Sequence, residues 1–456
     1  MVVGVDTLRA DHLGCYGYHR RTSPNIDALA ERSVVFENAI AAGIPTTPSF
    51  TTLLSGLHPY HTSVVTHPGR DRLPEDIRLL PQLAQDAGYV TAAVDNLVVQ
   101  GSGRGSWFAR GYHHYSGFLY APFGSQSAQL TDSALSFVHG AGDRPLFLFV
   151  HYWDPHTPYG PLPPYDTMHY EAGTGPFDMD EVRAISPEYY DAFLADMQLR
   201  NPDDYSYVVA QYDGEISQVD EQIGRLVAGL ESMGAWDDTI FLLVADHGEC
   251  FGEGGLHFDH HGLYDAVTRI AMMLRLPDGT TGRLGALVSN EDVLPTLCEA
   301  ADLPAPGYPL TGHSLLPALG GARDLPRSAV ISTECTRQAS VAIRTADEKL
   351  IVPITETDDG EDLPDVYGRP RNGDPLLFDL RADPAETHNL AATNPDRVSA
   401  LADELNRWRA GALAGTGRPD PMTSQSLSLP YRHFVDRTRS RHGGDNDRAR
   451  SHRRLN

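Results

Sequence analysis

Thr239-Ile240-Phe241-Leu242-Leu243-Val244-Ala245-Asp246-His247-Gly248-Glu249 is the stretch on which the architecture turns. Its six apolar residues, Ile240 to Ala245, are too few for an ordinary helix and read as a strand buried on both faces, as in a parallel sheet covered by helices. The strand stops at a carboxylate, Asp246, and an imidazole, His247. In open α/β sheets ligands bind just beyond the carboxyl ends of strands, so these two side chains stand where chemistry would be. Val2-Val3-Gly4-Val5-Asp6 repeats the pattern far away in the chain: a short apolar run closed by a carboxylate. A buried first strand with nothing before it also points to a natural start a few residues upstream.

Working outward, Ser23-Pro24 is an N-cap and N1 pair opening a helix from Pro24 to about Ser33. In Gly43-Ile44-Pro45-Thr46-Thr47-Pro48-Ser49-Phe50, Thr47 can cap and Pro48 can start a short helix that ends near Gly56. That places the Thr46 hydroxyl at a helix N-terminus, where unpaired N–H groups favour an anion. Tyr89 to Val94 and Leu146 to Val150 read as further strands, the second running into His151 and Asp154-Pro155-His156. Ile216, Val219, Ile223, Leu226, Val227 and Leu230 mark one helix face, which leaves Asp213, Glu215, Asp220 and Glu221 as a solvated face.

Three segments together, Asp6-Thr7-Leu8-Arg9-Ala10-Asp11, Thr46-Thr47-Pro48-Ser49 with Leu54-Ser55-Gly56, and Ala245-Asp246-His247-Gly248-Glu249, resemble the sulfatase family of the alkaline phosphatase superfamily. The resemblance continues through Asp154-Pro155-His156-Thr157-Pro158-Tyr159, His261-Gly262-Leu263-Tyr264-Asp265 and Gly312-His313-Ser314-Leu315, and ends at Leu377-Phe378-Asp379-Leu380-Arg381-Ala382-Asp383-Pro384. Both the strand pattern and the resemblance imply a large mixed, mostly parallel sheet sandwiched by helices. From about Ala329 short alternating strands and a helix from about Asp396 to Arg409 predict a small antiparallel-sheet domain. The expected division is a catalytic domain over 1–328, a small α+β domain over 329–412 and an extended tail over 413–456, with Asp436 to Asn456, seven Arg against three Asp, disordered.

Four groups can converge on one divalent cation, Ca, Mg, Mn or Zn: Asp6, Asp246, His247 and the Thr46 oxygen. A metal there neutralises an anionic substrate, lowers the pKa of a hydroxyl and aligns an in-line attack. Three departures from the family pattern shape the rest. The nucleophile position holds Thr46, which cannot become the formylglycine that Cys or Ser gives, with Thr47 as the second candidate. Phe50 replaces an arginine. The catalytic lysines have no counterpart, because Lys349 is the only lysine of the chain, and His260 takes the place of one of them. His156 is the candidate for contacting the transferred group or protonating the leaving oxygen, with His260 or His261 as its partner and His257 and Glu249 behind them. If His260 stands in for lysine, its imidazolium form does the stabilising.

A Thr ester must be cleared by water attacking the central atom, a route familiar for phosphoryl groups. The expected function is therefore metal-dependent hydrolysis of a small phosphate, phosphonate or sulfate ester, Thr nucleophiles in this superfamily being found in phosphodiesterases, phosphonate hydrolases and phosphoglycerol transferases. The alternative is an inactive relative that binds an anion or a partner protein. With a formal net charge of -25, the chain is a poor partner for nucleic acid, and any substrate anion needs a local cation. Four scattered cysteines without a CxxC pair, no signal peptide and no apolar run of about 18 residues fit a soluble cytoplasmic protein. Nothing in the sequence fixes the oligomeric state.

Overall fold

The computed structural model describes residues 1–67, 72–95, 105–117, 126–320, 325, 327–431 and 436. Its strands, in chain order, are β1 (Val2–Val5), β2 (Val34–Ile40), β3 (Gly43–Ile44), β4 (Val90–Val94), β5 (His114–Ser116), β6 (Leu146–Tyr152), β7 (Phe241–Ala245), β8 (Cys250–Phe251), β9 (His257–Asp259), β10 (Met272–Arg275), β11 (Gly282–Ser289), β12 (Ala329–Cys335), β13 (Ala339–Thr345), β14 (Glu348–Ile354) and β15 (Leu376–Asp379).

Eight of them form one sheet in the order β11-β2-β10-β7-β1-β6-β4-β5. Every pairing is parallel except the two made by β10. The central strands β1 and β7 are buried along their whole length, as continuous apolar runs require. Helices sandwich the sheet. Helix α1 (Pro24–Ala30) and the long α3 (Tyr205–Ser232) belong to one group, and α2 (Thr46–Ser55) to another. Gly4 permits the close approach of α2, since a Cβ there would lie 2.8 Å from the Phe50 ring.

The smaller sheet has the order β15-β14-β13-β12-β3 and is antiparallel except where β3 joins β12. Ile331, Val341, Ile343 and Leu377 close its core against Leu401 and Leu405 of α4 (Pro395–Thr416). Lys349, 1 % exposed, lies between Asp265 at 2.5 Å, Glu386 at 2.9 Å and the Leu263 carbonyl at 3.1 Å. No helix among the described residues is long and apolar enough to cross a membrane.

Three local expectations change. Helix α2 begins at Thr46, and Thr47 does not cap it; the Thr47 hydroxyl instead meets His67 Nδ1 at 2.5 Å. The four carboxylates expected on a solvated face of α3 do not form one: Asp213, Glu215 and Asp220 are buried, and of the four only Glu221 is exposed. Asp213 is matched by His12, Tyr18 and Arg20, while Asp220 accepts the N–H groups of Asn25 and Ile26 that open α1. The tail expected from 413 starts later, since α4 runs to Thr416 and Met422 and Leu427 are buried in the smaller core. Of the arginine-rich stretch 436–456, all but Asp436 lies outside the described residues.

Candidate metal and catalytic site

Strands β1 and β7 are parallel neighbours with Val5 opposite Ala245, so the residues that follow, Asp6 and Asp246, emerge side by side at the carboxyl edge of the sheet. One Asp246 oxygen accepts the backbone N–H groups of Thr7 and His247 at 3.1 and 2.8 Å, which fixes the carboxylate. Thr7 itself takes a left-handed backbone, φ 51°, as the chain turns away from Asp6. Ligand atoms of Asp6, Asp246 and His247 all lie within 4.8 Å of one another, and all three residues are fully buried.

The residues fit a divalent cation. Asp6 Oδ1 and Asp246 Oδ2 are buried without a hydrogen-bond partner among the described residues, and two such anions buried side by side need a positive charge between them. His247 donates Nδ1–H to the Gly248 carbonyl at 3.0 Å, which leaves Nε2 as an acceptor 3.4 Å from Asp246 and 3.7 Å from Asp6. The Thr46 hydroxyl, on the first residue of α2, lies 3.5 Å from Asp6 and 3.4 Å from His247 Nε2. The four groups that the sequence proposes for the cation thus lie together.

The two carboxyls titrate apart. Burial raises the Asp246 pKa, and the Asp6 charge adds to that. Burial opposes ionisation of Asp6 too, yet the charge of His156 and the hydrogen bond from His151, with smaller electrostatic contributions behind them, outweigh it and hold Asp6 down.

Beyond the carboxylates three histidine rings pack in a row, His247 stacked on His260 and His156 tilted against it. His260 is sandwiched between His247 and His156, with ring centroids 4.9 and 4.8 Å apart, and its side chain is 14 % exposed. His156 packs on Trp153 and turns Nδ1 to the Thr157 carbonyl. Burial pushes the His260 pKa well down, and His156, His261, His247 and Arg337 press in the same direction. The imidazolium expected of a lysine substitute is therefore disfavoured in the free protein. His261 faces Glu334 at 3.1 Å, and His257 bonds to Tyr205, so neither ring reaches the carboxylate cluster. Glu249 accepts from Tyr159 and stands 3.9 Å from His260 Nδ1.

Sequence reasoning passed over Asp95 and His151. His151 lies 3.5 Å from Asp6 and bonds through Nδ1 to Asp95 at 2.8 Å, with Phe50 packed edge-on against its ring. The signal was present. The apolar strand β4 ends at Val94 and is followed by a carboxylate, as are β1 and β7, and Val94 pairs with Val150 next to His151.

A family model described as Sulfatase matches residues 1–303. Similar curated proteins include human N-sulphoglucosamine sulphohydrolase, 26% identical over 447 residues and covering 87% of each chain. Another is the multifunctional alkaline phosphatase superfamily protein PehA of Trinickia caryophylli, 28% identical over 355 residues, 66% of this chain and 64% of that protein. Among solved structures, the phosphonate monoester hydrolase of Agrobacterium radiobacter shares the fold with a TM-score of 0.72 at 22% identity, covering 90% of this chain and 96% of that one. Because the family match takes in both strands that carry Asp6 and Asp246, as well as Thr46, the chain belongs to the sulfatase family and is a sulfatase-like ester hydrolase.

Proposed function

We propose that the protein hydrolyses small phosphate, phosphonate or sulfate esters with Thr46 as nucleophile and one divalent ion held by Asp6, Asp246, His247 and the Thr46 oxygen. The observation that carries this reading is the position of the Thr46 hydroxyl, 3.4 to 3.5 Å from both His247 and Asp6, beside carboxylate oxygens that have no hydrogen-bond partner among the described residues. When bound, the ion supplies the positive charge that an acidic protein needs to accept an anion and favours the ionised hydroxyl. Thr46 contributes the attacking oxygen from the first turn of α2, where the helix dipole also favours negative charge. His156, whose Nδ1 is tied to the Thr157 carbonyl, exchanges protons through Nε2 and is the proposed donor to the leaving oxygen. His260 flanks it, as a neutral ring in the free protein, and completes the wall around the transferred group.

Phosphorus esters are favoured over sulfate, because a Thr ester is cleared only by water attacking the central atom. The names of similar proteins bracket the same range: one is a sulphohydrolase and another, of similar fold, a phosphonate monoester hydrolase. The four cysteines are free, in keeping with the cytoplasmic location we infer. The test is a screen of 4-nitrophenyl sulfate, phosphate, a phosphodiester and a phosphonate monoester with wild type, Thr46→Ala, Thr46→Ser and Thr47→Ala. Thr46→Ala should abolish turnover and leave the melting temperature near wild type, Thr46→Ser should keep part of it, and Thr47→Ala should stay active. Turnover by Thr46→Ala with none by Thr47→Ala would reverse the assignment.

A further inference from the structure

The ring of His260 has its Nδ1 buried with no hydrogen-bond partner among the described residues, so its orientation depends on the rings of His247 and His156 packed on either side and on what fixes the residues beside it. Those neighbours are held by the β12–β13 hairpin of the smaller sheet together with Tyr189. Asp259 accepts from Tyr189 and from Arg337 Nη1, the latter at 3.0 Å. His261 Nδ1 lies 3.1 Å from Glu334 Oε1, and the Gly262 N–H donates to Glu334 Oε2 at 3.0 Å. Phe258, just ahead on β9, has the strained left-handed backbone, φ 57°, that a segment held on all sides tolerates. Glu334 is fully buried on β12, and its third donor is Gln338 of the same hairpin. A buried carboxylate is a poor source of stability compared with an apolar side chain, so its full set of donors points to geometry as what it provides. The same strand pairs with β3, Glu334 lying opposite Ile44, two residues ahead of Thr46.

We propose that Glu334 is a positioning residue for the reaction: by fixing His261 and Gly262 against the strand that leads into Thr46, it sets the place of the His260 ring relative to the nucleophile. The inference rests on the reading of His260 as part of the reacting site. The test is a double-mutant cycle of Glu334→Gln and His260→Ala, with kcat and KM measured on the 4-nitrophenyl ester turned over in the screen and thermal melts run in parallel. Glu334→Gln should remain folded and lose about tenfold to a hundredfold in kcat with little change in KM, the scale of a misplaced catalytic group. In the His260→Ala background the same substitution should have no further effect. An equal loss in both backgrounds, or a change in KM alone, overturns the proposal while leaving the role of His260 intact. Wild-type kcat in His260→Ala itself overturns that role, and the proposal with it. If Glu334→Gln does not fold, Gln338→Met, which removes one of the three donors, enters the same cycle under the same criteria.

Discussion

Asp6 and Asp246 are two carboxylates buried side by side, and burial first, with the Asp6 charge behind it, raises the pKa of Asp246. If an ion normally separates them, removing it should cost stability as well as activity. Chelation should lower the melting temperature, and a divalent ion at about 100 times its Kd should restore about 3 kcal/mol. Elemental analysis checks the stoichiometry, and Asp246→Ala should purify without the ion; full occupancy in that variant would put the site elsewhere. Residues of this kind were legible because each ends an apolar strand in the sequence itself. The Asp95–His151 pair was not found, although Asp95 follows the same rule, because its partner is brought to it only by the parallel register of β4 and β6.

Helix α3 shows where sequence periodicity stops being informative. The apolar face from Ile216 to Leu230 was visible, but the opposite face was assigned to water because carboxylates on a helix usually are solvated. In the fold that face is covered by partners about 200 positions earlier, which no local pattern reveals. Asp220 gives this a measurable form. Burial pushes its pKa up from 3.8 to about 6, despite the N–H groups it accepts at the start of α1. A carboxyl raised in the folded state stabilises fully below its unfolded pKa and loses that contribution as pH rises through the folded value. Between about pH 4 and 6 the wild type should therefore lose on the order of 3 kcal/mol relative to Asp220→Asn, which cannot ionise. Urea unfolding of both proteins across that range tests this, and a pH-independent difference would contradict it.

Across the whole molecule, the two sheets are not independent. The stretch leading into Thr46 contributes β3 to the smaller sheet, so a strand from the first 50 residues is completed by one from beyond residue 328. A chain stopping at 328 would leave Gly43 and Ile44 without β12 and the His261 ring without Glu334. It should lose turnover, and the wild-type fold should not be recovered by circular dichroism; an active fragment would show that the junction is dispensable. Strands β1, β4, β6 and β7 of the larger sheet and the antiparallel plan of the smaller one were readable from strand length and alternation, whereas β2, β5, β10 and β11 were not. This junction was not, since a two-residue strand carries no periodic signal.

The burial of Lys349 has a practical outcome for handling the protein. As the only lysine, enclosed by Asp265, Glu386 and the Leu263 carbonyl, it offers no accessible side-chain amine to acylating labels, crosslinkers or resins. Treated with an N-hydroxysuccinimide ester, native protein should show Lys349 unmodified in peptide mass spectra, whereas protein treated in urea should be acylated there. The residue would then serve as a built-in reporter of when the small sheet lets go of the loop beneath it, and labelling at equal rates in both conditions would show that the pocket opens freely.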